Sequence, residues 1–138
     1  MKNKYNNKKV EIDGFKFDSK DEAQYYMKLK RDLEKGEVIN IELQPKFELQ
    51  PKFSKYGKNY KAITYTPDFA VTYKCGKIVY IDVKGMETQQ GDMRRKMFDY
   101  KYPYLTLKWV SKSIKYGVDG WIDYDELKKI RRDNKKKK

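Results

Sequence analysis

Two short segments carry the residues best suited to chemistry: Thr66-Pro67-Asp68, and Ile81-Asp82-Val83-Lys84-Gly85 after an intervening turn. On neighbouring strands they set two carboxylates and one amine together. Hard oxygen ligands of this kind bind Mg²⁺ or Mn²⁺ and can hold the ion against a phosphodiester. The ion polarises the phosphate and lowers the pKa of a water beside it. An amine two residues farther along lies on the same strand face, where it can orient that water or stabilise charge building on the phosphorane. Lys plus Arg number 33 against 20 acids, a formal charge of +13. Such a surplus attracts polyanions in a salt-dependent way, so a nucleic acid is the expected source of the phosphodiester. Charge alone does not separate DNA, RNA and an anionic membrane.

The chain has no histidine. That excludes Ser-His-Asp and Cys-His nucleophile systems, histidine-ligated zinc hydrolases and nucleases with a histidine base. Carboxylates and lysines must then do any acid–base work. A lone cysteine, Cys75, leaves no intramolecular disulfide and no multi-cysteine zinc site, and beside Gly76 it reads as an incidental turn residue. No run approaches the ~20 apolar residues of a membrane span. The charged start, Met1 to Lys9, lacks the apolar segment of a secretory signal, so a cytoplasmic protein with no membrane partner is expected.

An acid-x-Lys triplet by itself says little. With 20 acids and 28 lysines among 138 positions, about four are expected by chance, and five occur, at Asp18, Asp82, Asp99, Glu126 and Asp133. Only Asp82 ends an apolar, β-branched strand and follows a Pro-Asp strand. The plain alternative is a pair of surface aspartates with a salt-bridging lysine.

Alternation on the strands separates their faces. Val79, Ile81 and Val83 share an apolar face, with Tyr80, Asp82 and Lys84 on the other. Phe69, Val71 and Tyr73 lie together, opposite Asp68, Ala70 and Thr72. Antiparallel pairing through Lys74-Cys75-Gly76 brings Asp68 near the Asp82–Lys84 end, and Pro67, lacking an amide donor, should open the ladder there.

The remaining elements must position this group. Residues 10–17 predict a hairpin turning at Asp13-Gly14. A helix is expected from about Ser19 to Lys35, stopped by Gly36, with Glu22, Tyr26, Leu29 and Leu33 as its core stripe. Residues 38–53 read as strand, although Gln44-Pro45-Lys46-Phe47 and Gln50-Pro51-Lys52-Phe53 each carry a proline that forbids helix. Tyr56-Gly57-Lys58-Asn59 reads as a turn, and 63–73 and 77–84 as strands. A helix over about 90–102 ends before Pro103, with Met93, Met97 and Tyr100 expected on the sheet. Leu105, Leu107 and Trp109 alternate as a strand, and Asp123-Tyr124-Asp125-Glu126 opens a last helix. One domain over 1–134, with a disordered basic tail over 135–138, is the expected organisation.

Glu22 has two readings. Ser19-Lys20-Asp21-Glu22 fits a capping box that satisfies helix amides locally. Yet Glu22 also heads the apolar stripe, and a carboxylate turned toward a sheet needs a compensating partner. A metal site would provide one.

Glu on the first helix, then Pro-Asp, Asp-x-Lys and a basic helix: in this order the chain resembles the PD-(D/E)xK nucleases. More narrowly, Phe17-Asp18-Ser19-Lys20-Asp21-Glu22-Ala23, Gln44-Pro45-Lys46-Phe47, Tyr65-Thr66-Pro67-Asp68-Phe69 and Asp82-Val83-Lys84-Gly85 resemble a small phage-encoded family classed with Holliday-junction resolvases. The resemblance runs from about Val10 to Val110. It implies an α/β, restriction-endonuclease-like fold, a central mixed β-sheet flanked by α-helices. It further implies that Glu22, Asp68 and Asp82, with the Val83 carbonyl, are ligands of Mg²⁺ or Mn²⁺, and that Lys84 is the catalytic lysine. Asp82 stands where glutamate is commoner in the wider superfamily. Gln44 matches a family position and is placed with the DNA contacts. The resolvase classification implies a homodimer acting on four-way or other branched DNA, in the host cytoplasm if phage-encoded.

The basic helix supplies the other expected DNA contacts, Arg94, Arg95, Lys96 and Lys101, for which a merely solvated face is the alternative. Tyr102, Tyr104 and Tyr116 are candidates for stacking on bases. Two other functions stay open on the residues: a nuclease of the same superfamily acting on duplex DNA, and a non-catalytic nucleic-acid-binding protein.

Overall fold

The computed structural model describes residues 9–136. Strands β1 (Val10–Ile12) and β2 (Phe15–Phe17) form the first hairpin. Its two turn residues, Asp13 and Gly14, both have positive φ (55° and 81°), the backbone that a two-residue turn needs to match strand twist. Helix α1 (Lys20–Glu34) follows, with the Ser19 hydroxyl accepting from Glu22 N–H and Gly36 past its end at φ 81°. It buries Glu22, Ala23, Tyr25, Tyr26 and Leu29. Leu33, expected in that stripe, is instead 36% exposed. Tyr25 and Ala23 widen the buried face toward the other side, where Tyr25 meets Trp121 edge-on.

A five-stranded mixed sheet lies at the centre, ordered β11 (Trp121–Asp123), β10 (Thr106–Lys112), β9 (Ile78–Val83), β8 (Phe69–Tyr73) and β3 (Val38–Leu43). Only the β9–β10 pair is parallel, and helix α2 (Gln89–Lys101) lies between those two strands in sequence. One sheet face carries Phe69, Val71, Val79 and Ile81 against Phe17, Tyr26 and Leu29. Phe69 and Leu29 are completely buried, and burial of this kind stabilises by about 1.5–3 kcal/mol for each large apolar side chain. The other face carries Tyr80 and Leu107 against Phe98 and Met97 of α2. A central mixed sheet with helices on both faces is therefore present, the coarse architecture that the resemblance implies.

The strand expected over 38–53 is three strands, because each Pro-Lys pair interrupts it. After β3 come β4 (Phe47–Gln50) and β5 (Phe53–Lys55). The strand expected over 63–73 is likewise two, β7 (Ile63–Tyr65) and β8, parted at Thr66-Pro67-Asp68. Strand β7 pairs with β4 outside the central sheet, while β8 pairs with β3 and β9 within it. Strands β5 and β6 (Lys58–Tyr60) form a separate hairpin.

Helix α2 turns a different side inward from the one expected. Phe98 is fully buried, whereas Met93 and Tyr100 are 52% and 89% exposed. Phe98 wins because its ring fills the space between Phe47, Tyr65, Tyr80 and Tyr102. Tyr102 also donates its hydroxyl to the Glu48 carbonyl at 2.7 Å, which makes it a structural residue. Helix α3 (Tyr124–Lys136) includes Lys135 and Lys136, the first half of the expected tail; Met1–Lys8 and Lys137–Lys138 lie outside the described residues.

Candidate active site

The β8–β9 register pairs Phe69 with Ile81 and Ala70 with Tyr80. One step farther it sets Asp68 opposite Asp82, at the point where buried Pro67 ends the ladder. Asp68 Oδ2 accepts a hydrogen bond from the Val83 N–H at 2.8 Å. Asp82 is 5% exposed, and its Oδ2 receives the Tyr65 hydroxyl at 2.6 Å and the Lys84 ammonium at 3.1 Å. Glu22, on the first turn of α1, is 6% exposed and in side-chain contact with Asp68.

The three carboxylates thus come from a helix, the break before a central strand and the end of another. Glu22 is capped through its main chain and turned inward through its side chain. Its N–H is capped by Ser19 at 3.1 Å, while its carboxylate faces Asp68 and the Asp18 main chain. Burial raises the Glu22 pKa, and the charges of Asp18 and Asp82 add to that, partly offset by the bond to Asp68. Asp68 is pushed up to about 10, first by burial and then by the Asp82 charge, the hydrogen bond to Asp82 and the Glu22 charge. Like-charged carboxylates this close cannot all ionise in a low-dielectric site. Asp68 and Glu22 therefore hold their protons above the ordinary carboxylate range.

Three carboxylates are hard oxygen donors whose mutual repulsion a divalent cation would relieve. Among the described residues, however, no group of three or more acidic or thiol side chains stands in a metal-holding arrangement.

Tyr65 and Trp109 complete the site and were not singled out from sequence for it. Trp109 pairs in register with Asp82 on the parallel strand β10. Its indole Nε1 donates to the Tyr65 hydroxyl at 2.9 Å, so that hydroxyl spends its own proton on Asp82. Burial and the Asp82 charge raise the Tyr65 pKa, which keeps the phenol protonated. The Lys84 ammonium sits 4.8 Å from the Trp109 ring centroid and the Arg95 guanidinium 4.4 Å from it. One signal for Trp109 was available: a buried indole on an alternating strand needs an acceptor.

A cleft of about 220 Å³ opens beside the carboxylates, lined by Glu22, Asp68, Gln44, Phe17 and Lys16 among others. Gln44 follows β3 with φ 52°, and its N–H donates to the Asp68 carbonyl at 2.9 Å. Gln44 therefore helps fix the Asp68 backbone and borders the approach to its side chain.

The basic residues of α2 divide. Lys96 and Lys101 are exposed, and Arg94 is half-buried. Arg95 is turned onto Asp125 of α3 through both guanidinium nitrogens, which makes it a brace between helices. Tyr104 is 80% exposed, whereas the Tyr116 hydroxyl accepts from Asn134 at 2.9 Å.

The fold and site define an α/β chain with a mixed sheet, helices on both faces and a buried acidic cluster at the end of its central strands. Over residues 2–118 the sequence matches the family described as protein of unknown function (DUF1064), and the chain belongs to that family. No curated protein and no solved structure matches it. No helix among the described residues is long and apolar enough to cross a membrane.

Proposed function

We propose that the protein is a metal-dependent endodeoxyribonuclease of the PD-(D/E)xK type, hydrolysing phosphodiesters in branched DNA, four-way junctions foremost. The observation that carries the hydrolytic reading is the meeting of Asp68, Asp82 and Glu22, with Lys84 paired to Asp82 at 3.1 Å. Burying three carboxylates together is unfavourable for folding alone. A function that uses their combined charge accounts for it.

In this reading Glu22, Asp68, Asp82 and the Val83 carbonyl would hold Mg²⁺ or Mn²⁺. The ion would supply Lewis-acid polarisation of the scissile phosphate and a water acidic enough to attack. Lys84 is half-buried beside Asp82, where its ammonium would orient the attacking water and offset charge on the phosphorane. Tyr65 holds Asp82 in place and the Trp109 ring carries the lysine. Water is the nucleophile, and no side chain is acylated or phosphorylated.

The preference for branched DNA and the homodimer rest on the resemblance to the junction-resolving family. Cutting two opposed strands of a four-way junction calls for two active sites. The test is cleavage of a labelled four-way junction and of a linear duplex with the same arm sequences, in Mg²⁺. Selective, paired incisions in the junction are expected. Equal cutting of the linear duplex transfers the assignment to a duplex nuclease, and binding without cutting transfers it to a non-catalytic DNA-binding protein.

A further inference from the structure

Among the described helices and strands, the β5–β6 hairpin packs substantially only against itself. It extends from the β4–β7 pair, so the strand that runs down from it ends at Tyr65 and leads into Pro67-Asp68. An isolated two-stranded ribbon is at best marginally stable in water. This one is held by Phe53 stacked on Tyr60, with centroids 4.6 Å apart and planes 9° apart, and by the Ser54 hydroxyl bonded to Asn59 at 2.5 Å.

Its surface has one sign of charge. Lys52, Lys55, Lys58 and Lys61 fall between Lys52 and Ala62, a stretch with no acidic residue. Lysines alone would serve to keep an exposed edge from pairing with other chains. The tip is what needs another explanation. Tyr56 and Gly57 occupy the two central turn positions at φ 51° and 73°. Asn, Asp or Gly is favoured at the first of these, and a bulky residue there is strained. Tyr56 is nonetheless 95% exposed, with only the Lys55 ammonium over its ring at 5.2 Å. An outlier of this kind, kept without any packing in return, points to a role in contact with something else.

We propose that this hairpin is a DNA-binding arm: its lysines lie along duplex phosphates and Tyr56 stacks on an unpaired base at its tip. A two-stranded ribbon fits the major groove of B-DNA, and cation-flanked aromatic faces take bases with little regard to sequence. Tyr56 lies nine residues before Tyr65, a reach of at most roughly 30 Å at ~3.3 Å per residue. That keeps the tip within one duplex turn, about 34 Å, of the acidic site. The arm shares a DNA ligand with the proposed nuclease but does not depend on the hydrolytic step.

The test is fluorescence anisotropy of the full chain in EDTA, where no strand is cut, with a blunt duplex and a duplex carrying a single-stranded tail. Tyr56→Asn suits the turn backbone, so it should melt at or above the wild-type temperature. Its affinity for the tailed duplex should fall by roughly fivefold to a hundredfold, with little change on the blunt one. The double variant Lys55→Gln, Lys58→Gln should reduce the slope of log affinity against log salt by about 1.8, at roughly 0.9 for each phosphate no longer neutralised. Wild-type affinity and salt slope in both variants overturn the arm, as does failure of the wild type to bind either probe. Intact variant effects in a wild type that never cuts DNA would sink the nuclease and keep the arm.

Discussion

Tyr65 donates to Asp82 across 2.6 Å while Trp109 donates to Tyr65 across 2.9 Å, so one phenol links an indole on β10 to the carboxylate on β9. The same Asp82 oxygen holds Lys84, whose ammonium rests over that indole. Rotation of Asp82 would therefore also displace Lys84.

Tyr65→Phe should lower the cleavage rate by roughly tenfold to a hundredfold, the equivalent of a charged hydrogen bond of ~1.5–3 kcal/mol. DNA affinity in EDTA should hold, which separates positioning from substrate contact. A lower melting temperature with an unchanged rate per folded molecule would make Tyr65 purely structural.

Asp82→Asn should abolish detectable cleavage while DNA binding survives or tightens, because a negative charge facing phosphate is removed. Lys84→Met should slow cleavage by roughly 10²–10³-fold, the usual cost of one electrostatic stabiliser. Gel assays of incision and shift on the same probe give both readings. Full activity in either variant contradicts the assigned roles.

Much of this site could be read from residue order because its parts obey local rules. Asp13-Gly14, Ser19 and Gly36 each satisfy a backbone need within a few residues, so the first hairpin and α1 came out with nearly correct bounds. Alternation placed Asp82 and Lys84 on one face, and Pro67 ended the ladder beside Asp68. Tertiary contact decided the rest. Tyr65 reaches Asp82 through a strand pairing that no local pattern specifies, and β7 left the central sheet to join β4. On α2, methionine spacing suggested one face, but Phe98 filled the larger gap. Strand β11 spans only Trp121–Asp123, too short for periodicity to register.

Asp68 provides a pH test in metal-free protein. Its folded-state pKa, about 10, lies above the ordinary 3.8, so the folded chain holds the proton more tightly than the unfolded one. This group's contribution to stability is full below the unfolded value and is lost as pH rises toward the folded one. Asp68→Asn removes that loss. In EDTA the variant should melt above wild type at about pH 8.5, with a smaller margin toward about pH 5. Thermal melts across that range check it, and a margin independent of pH would contradict the raised Asp68 pKa.

Arg95→Ala should destabilise by about 1–2 kcal/mol, combining a partly exposed ion pair with loss of the cation over Trp109. Lys96→Ala and Lys101→Ala, on the exposed side of α2, should leave melting unchanged and weaken DNA binding with a shallower salt dependence. Chemical denaturation and anisotropy, run on all three, distinguish a brace from a phosphate contact.

The most direct measurement is Mn²⁺ binding to the full chain, followed by electron paramagnetic resonance with a four-way junction present. Wild type should bind the ion, and Asp68→Asn and Asp82→Asn should each lose most of that binding while still holding DNA. Mn²⁺ uptake that ignores both substitutions, or no uptake at all by the DNA-bound wild type, would contradict a metal site built from these carboxylates.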